Sequence, residues 1–408
     1  MDFAVEPMVL IAGTLLFASI VFSKLSDRFG IPTLLLFLTV GMLAGSEGIG
    51  GIAFESPQIT RAVGTVALLL ILFAGGLDTE WKSIKPVLAP GLVLSTVGVV
   101  MTALLLGAFA SFILGSYSEI HIGRGGLAWL PALLLAAIVS STDAAAVFGV
   151  FRTSEVQPPE RIRYLLEFES GSNDPMAVLL TTAILGFMTQ DEGIATYLAL
   201  DLVLQLGLGA IIGWLLGFTG TLIVNYLKLS SEGLYPLLVL AIGLLTFGVT
   251  ELTGGNGFLS VYVAGLVLRN GIVPRREAII SFHDGLSWLA QISMFIVLGL
   301  FVFPSRLPAV AIPSLVIALF LMFIARPISV TLCLLPFRQS REQIAFVSWV
   351  GLRGSVPIVL ATFPATYGIE GADDIFNVVF FIVLTSVLIQ GLSLIPCTRW
   401  LFPPHKKF

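Results

Sequence analysis

The chain is a succession of apolar runs, each long enough to cross a bilayer and parted by short polar, glycine-rich or proline-rich stretches, and this leaves few folds open. A backbone inside lipid must satisfy its own N–H and C=O groups, so only helices and closed barrels qualify. Runs of this length select helices. They begin near Met8, Ile31, Ala62, Val87, Ala128, Leu165, Ala195, Leu234, Phe258, Trp288, Ala309, Ile344 and Ile375. The expectation is an all-α polytopic membrane protein with about thirteen transmembrane helices.

Composition agrees. Charged residues make up 11% of the chain, against about 25% in an ordinary soluble domain. The net charge of -4 and the lack of any basic run argue against a nucleic-acid partner. The 41 glycines fit close packing of helices. "GRGG" at 123–126 and "GGNGF" at 254–258 lack the strand–turn–helix context of a phosphate loop and read as helix ends. No cofactor is expected, and no enzymatic chemistry. Cys333 and Cys397 sit in apolar runs without metal-ligand or disulfide spacing and read as small apolar residues. Asp2 and Glu6 precede the first run where a signal peptide would carry basic residues, so that run reads as a span.

Lysine and arginine mark the sides. One set of alternate loops holds almost all of them, from Lys24 and Arg28 through Lys82, Arg161, Lys228, Arg275 and Arg341 to Lys407. The other set holds only Arg61, Arg124 and Arg306. By the positive-inside rule the N-terminus lies outside and the C-terminus in the cytoplasm, which points to a plasma membrane, the inner one in a bacterium.

The second run, "GIPTLLLFLTVGML", resembles the ninth, "GGNGFLSVYVAGLVL", and one common offset pairs Gly41 with Gly265 and Gly75 with Gly299. Spans one to six, near 8–188, then read as repeated in spans eight to thirteen, near 234–402, with span seven near 195–227 between them. An odd linker inverts the second copy, the pattern of secondary transporters. The whole chain reads as a single membrane domain with no soluble domain.

In such repeats the binding site lies where corresponding spans are interrupted. Span five carries Ser140, Ser141, Thr142 and Asp143 at its middle, and span twelve carries Gly351, Arg353, Gly354, Ser355 and Pro357. Two crossed, partly unwound helices at mid-membrane are expected. An acid such as Asp143 would offset the positive half-helix ends and a guanidinium such as Arg353 the negative ones. Span six contains "LEFESGSNDPMAVLL", where Ser170 and Asp174 share one helical face and Glu169 and Asn173 a neighbouring one. Pro175 lacks an N–H, so the ladder is cut there and the Gly171 carbonyl is freed. Asp174 is the first candidate for carrying a monovalent cation or a proton, with Thr142 oxygens taking part and Asn173, Asp143 and Ser170 completing the candidate binding set. Glu169 reads as a structural ion-pair member, with Arg326 of "FIARPISV" as its partner. Asp78 and Glu251 at span ends read as solvated termini. His121, His283 and His405 all fall in loops or the tail.

These residues resemble the monovalent cation:proton antiporters of the NhaP and NHE type. "FESGSNDP" is similar to that family's Glu-Ser-x-x-Asn-Asp signature, "SSTDAAAVF" to its Thr-Asp crossing motif, and "FIARP" and "GLRGSV" to its two membrane arginines. The resemblance spans the whole chain. It implies that Asp174 carries cation and proton alternately, that Asn173 and Asp143 organise the crossing, and that Glu169 pairs with Arg326. It also implies a homodimer in membrane lipid that exchanges potassium or sodium for protons. Gly171-Ser172 and Pro175 stand where the common pattern differs, and resemble the potassium/proton branch. That branch often has a cytosolic tail, expected here to be absent or removed, since the chain stops at Phe408. The competing readings are a sodium-coupled symporter of an organic anion, with Arg353 on the substrate carboxylate, and an intramembrane aspartyl protease using Asp143 and Asp174. No GxGD motif supports the protease.

Overall fold

The computed structural model describes residues 5–29, 33–54, 56–116, 129–151, 154, 156–189, 198–272 and 274–403. Among them all regular structure is helical, and the one β-type pairing is an isolated bridge between Gly45 and Ile52. In chain order the helices are α1 (Val5–Phe29), α2 (Thr33–Ala44), α3 (Pro57–Asp78), α4 (Trp81–Gly115), α5 (Trp129–Ile138), α6 (Ala144–Phe151), α7 (Glu160–Thr189) and α8 (Leu198–Tyr226). They continue as α9 (Leu234–Leu252), α10 (Gly257–Gly271), α11 (Arg276–Phe301), α12 (Pro304–Phe337), α13 (Arg341–Trp349), α14 (Ser355–Thr366) and α15 (Ala372–Leu401).

Among the described residues, 7 helices are long and apolar enough to cross a membrane: α3, α4, α8, α9, α11, α12 and α15. Shorter apolar helices lie in α1, α2, α5 and α14. The 30-residue α7 has the length but is too polar on average to count on composition alone. Its polar residues must therefore find partners inside the bundle.

Two packing groups make up the molecule. α2 and α3 pack on α11, α3 also on α10, and α8 and α9 on α10. In the other group α4 packs on α5, α5 on α7, and α12 on α13 and α15. The groups meet where α7 and α14 face α3, α8, α10 and α11. Glycines bring the first group's backbones together: a Cβ on Gly41 of α2 would strike the Ile296 carbonyl and Gly299 of α11, and one on Gly265 of α10 would strike Phe73 and Gly76 of α3. Gly76 makes this contact, while Gly75 beside it faces open space.

His283 departs from its expected place in a loop. It lies inside α11, 2% exposed, with Nδ1 2.8 Å from the Ile279 carbonyl and its ring edge-on to Phe73 and Phe282. The helix starts at Arg276, well before the apolar run near Trp288. Its first turns are amphipathic, burying Ile279, His283, Ser287 and Ala290 at helical spacing, and average hydropathy hides such a start. His121, Arg124, "GRGG" and His405 lie outside the described residues.

Candidate functional site

α5 ends at Ile138 and α6 starts at Ala144; α13 ends at Trp349 and α14 starts at Ser355. The extended segments between them cross, tied by the Asp143 N–H donating to the Leu352 carbonyl at 2.8 Å. Serine, threonine and glycine permit this unwinding, and the freed backbone groups need partners. Arg353 supplies them on one side. Its Nη1 donates to the carbonyls of Val139 (2.7 Å), Ser140 (2.5 Å) and Ser141 (2.8 Å), at the negative C-terminal end of α5.

Asp143 serves the opposite polarity. Its Oδ1 accepts the Ala146 N–H at 2.9 Å in the first turn of α6. The carboxylate also lies so close to Gly354, at the start of α14, that any Cβ there would overlap it. Arg326 lies under the end of α13, with Nη2 3.4 Å from the Val347 carbonyl and its side chain against Gly351. The second break has a further brace. The Arg353 N–H donates to Ser386 Oγ (3.0 Å), which donates to Gln390 Oε1 (2.6 Å), and Gln390 Nε2 donates to the Trp349 carbonyl (2.7 Å). Gln390 sits on the π-helical turn Val387–Gly391 of α15, a local widening that recurs at functional sites.

α7 brings its polar residues against the first break. Asn173 Nδ2 donates to Thr142 Oγ1 at 2.7 Å, and the Thr142 N–H points back at Asn173 Oδ1 at 3.4 Å. Ser170 Oγ donates to the Thr142 carbonyl (2.9 Å) and accepts the Ala144 N–H (3.0 Å), so its hydroxyl is engaged with backbone on both sides. Glu169 turns the other way. Its Oε1 is 2.6 Å from Arg326 Nη1, with the side chains 0% and 3% exposed. The approach lies off the N–H direction, which makes the contact an ion pair more than an aligned hydrogen bond.

Asp174 differs from its neighbours. It is 8% exposed and its Oδ1 has no well-aligned hydrogen bond; the Ser141 hydroxyl is its hydrogen-bonding neighbour, and the Asp143 carboxylate is near enough to act on it by charge. α7 runs through Pro175 without a break, so the proline removes one donor and leaves the helix whole. Asn256 Nδ2 reaches across from the start of α10 to the Pro175 carbonyl at 3.2 Å.

From that bridge a cleft of about 520 Å³ opens between the two packing groups. Val178, Thr182 and Ala183 of α7 line one wall, and Thr65 of α3, Phe247 and Glu251 of α9 and Phe258 of α10 line others. Asp78 is exposed. Glu251 is exposed too, but it borders this cleft and its Oε1 accepts the Gly257 N–H at 2.9 Å. Sequence reasoning passed over Asn256, Ser386 and Gln390. Ser386 and Gln390 stand four apart on one face of an apolar run, which is a usable signal. Asn256 reads simply as an N-cap, and its Oδ1 does accept the Leu259 N–H at 2.8 Å.

Comparison with known proteins places this arrangement. The family model described as "Sodium/hydrogen exchanger, transmembrane" matches residues 13–400. The chain is 42% identical over 398 residues to the K(+)/H(+) antiporter NhaP of Alkalimonas amylolytica, covering 98% of this chain and 67% of that protein. It is 29% identical over 395 residues to the Na(+)/H(+) antiporter ApNhaP of Aphanothece halophytica, covering 91% of this chain and 70% of the relative. The solved structure of the sodium proton antiporter MjNhaP1 from Methanocaldococcus jannaschii superposes with a TM-score of 0.81 at 25% identity, covering 95% of this chain and 100% of that one. With a crossed pair of broken helices, two buried arginines and the Asn173-Asp174 pair set in that fold, the chain belongs to the sodium/hydrogen exchanger family.

Proposed function

We propose that the protein exchanges a monovalent cation, potassium or sodium, for a proton, and that the two compete for Asp174. The observation that carries this reading is the buried, unpartnered Asp174 oxygen beside the unwound Ser141-Thr142 segment, one helical turn before Val178, where the wall of the cleft begins. Every other buried charge at the crossing is engaged: Arg353 with carbonyls, Asp143 with helix starts, Glu169 with Arg326. An empty Asp174 leaves a bare charge in a low-dielectric seam, which opposes movement. A bound proton or cation cancels it, so only loaded carriers cross. Asn173 in place of a second acid leaves one titrating group, and exchange is then one for one and electroneutral. Thr142 is the neighbouring oxygen donor, and Asn173 holds it in position.

The potassium assignment rests on the names of the 42% identical relatives. The organic-anion symporter has no such support. We place the chain in a plasma membrane, N-terminus outside, with thirteen crossings in inverted repeats. The Gly41–Gly299 and Gly76–Gly265 contacts, which exchange the roles of corresponding helices, support the repeat, as do the π-helical turns Leu94–Gly98 in α4 and Leu321–Ala325 in α12. The exposed apolar side chains Ile211, Trp214, Leu215 and Phe218 of α8 suit lipid or a second copy in a homodimer.

The test is reconstitution in liposomes with a pH-sensitive dye, adding potassium, sodium and lithium separately. Asp174→Asn is expected to abolish cation-driven proton release while eluting as the folded parent does. Undiminished release from that variant would remove Asp174 from the transport cycle.

A further inference from the structure

Asp174 has different surroundings in its two axial directions along α7. Toward the C-terminal end of the helix lies the open cleft, with Val178, Thr182 and Ala183 on its wall. Toward the N-terminal end, about 4.5 Å along the axis, Gly171 meets the ring of Tyr262 on α10. A Cβ built on Gly171 would stand 2.6 Å from that ring and 3.1 Å from its hydroxyl. Tyr262 is 3% exposed and its hydroxyl has no hydrogen-bond partner, with Thr79 and Glu167 as its polar neighbours.

The ring stands on a stiff base. A Cβ on Gly76 of α3 would strike the Tyr262 carbonyl, and one on Gly213 of α8 would strike Ser260 of α10. Backbones packed this tightly leave α10 little freedom to yield, so any separation at the Gly171 contact must come from α7. What meets Gly171 is the ring itself, whose edge carbons stand 2.6 and 2.8 Å from where a Cβ would be. Its shape closes the seam.

We propose that the contact between Tyr262 and Gly171 is the closed gate on the side of Asp174 opposite the cleft, and that it opens when the cleft closes. Gly171 is then a residue of the transport cycle through its lack of a side chain. It lets the aromatic ring seal the seam directly below the carboxylate, and the seal parts when α7 shifts along α10. The proposal rests on Asp174 as the carrier, but its test reads accessibility and not transport, so either can fail alone.

The experiment places a single reporter cysteine at Ala183 on the cleft wall, in a Cys333→Ala, Cys397→Ala background, and measures its rate of reaction with a membrane-impermeant maleimide in oriented vesicles. Gly171→Ala wedges the gate and Tyr262→Ala removes its plug; each is expected to shift the population toward the cleft-closed state and slow labelling several-fold. Tyr262→Phe keeps the ring and is expected to label at the parent rate. The proposal is overturned if either alanine variant elutes as folded protein and labels as the parent does. It is also overturned if Tyr262→Phe slows labelling as much as Tyr262→Ala, because closure would then belong to the hydroxyl.

Discussion

Replacing Glu169 by glutamine isolates the energetic role of the deepest ion pair. Both partners are buried, at 0% and 3% exposure, and meet at 2.6 Å. Without the carboxylate, Arg326 keeps one long bond to the Val347 carbonyl at 3.4 Å, and its Nε has no partner in either case. A guanidinium stranded this way costs about 3 to 5 kcal/mol. By the scaling of mid-sized domains this lowers the temperature of half-loss by roughly 6 °C or more. The assay is size-exclusion elution after heating in detergent, read by intrinsic fluorescence of the 6 tryptophans. Arg326→Met alone should cost a similar amount. The double variant Glu169→Gln, Arg326→Met should recover most of the loss, because no charge is then left buried alone. Exchange activity of the protein that survives should keep its cation preference. If Glu169→Gln melts with the parent while exchange vanishes, or the two losses simply add, the pair is not a structural unit and Glu169 belongs to the transport cycle.

If one carboxylate carries both ions, turnover in liposomes should not respond to an imposed membrane potential, and a clear voltage dependence would require a second titrating acid. The apparent cation affinity should weaken about tenfold per unit of pH below the site's own pKa, and the rate should fall again when the proton leg limits, giving a bell-shaped profile. Arg353→Gln leaves three buried carbonyls without a donor, at about 1 to 3 kcal/mol each, and should yield little folded protein; Arg353→Lys, a point charge without the fork, should fall between, and parental yields of the glutamine variant would show that the cap is dispensable. In the loop after α2, Glu47 accepts the Ser305 hydroxyl and the Ser305 N–H (2.8 Å), which holds its carboxyl below its ordinary value. The tie is therefore fully present above the unfolded carboxylate range and is lost as pH falls through the lowered folded value, so Glu47→Gln should flatten the acid limb of a stability profile, and an unchanged limb would show that the tie contributes nothing.

The helical architecture was legible because lipid tolerates no other use of such long apolar runs. The two breaks were legible for the converse reason: Ser-Ser-Thr-Asp and Gly-Leu-Arg-Gly-Ser-Val-Pro cannot sit as regular helix among apolar turns without a partner. Helical spacing also separated the Ser170 and Glu169 faces of α7. What sequence could not carry is register between distant segments. That Arg353 would take the carbonyls of residues 139, 140 and 141, and that Ser386 and Gln390 would brace it, depends on how α5, α13 and α15 stack. Ser170 shares the helical face of Asp174, yet the Thr142 carbonyl and Ala144 N–H already engage its hydroxyl. Tyr262 carries no signal in the sequence, since one tyrosine in an apolar helix reads as core. His283 was misplaced because its helix begins polar.

Arg353 also bears on hydration. The carbonyls of Val139, Ser140 and Ser141 stand at an unwound turn, where backbone oxygens can replace the water shell of a potassium ion, but the guanidinium engages all three. If a cation is carried at Asp174, water supplies the part of its shell that the carboxylates of Asp174 and Asp143 and the Ser141 hydroxyl leave open. It would travel as a partly aquated ion. Discrimination between potassium and sodium then rests on how many water molecules the seam admits with the ion, and on the size of the residues that bound that space. Ion preference should therefore respond to changes in side-chain volume around the site more than to any added or deleted ligand.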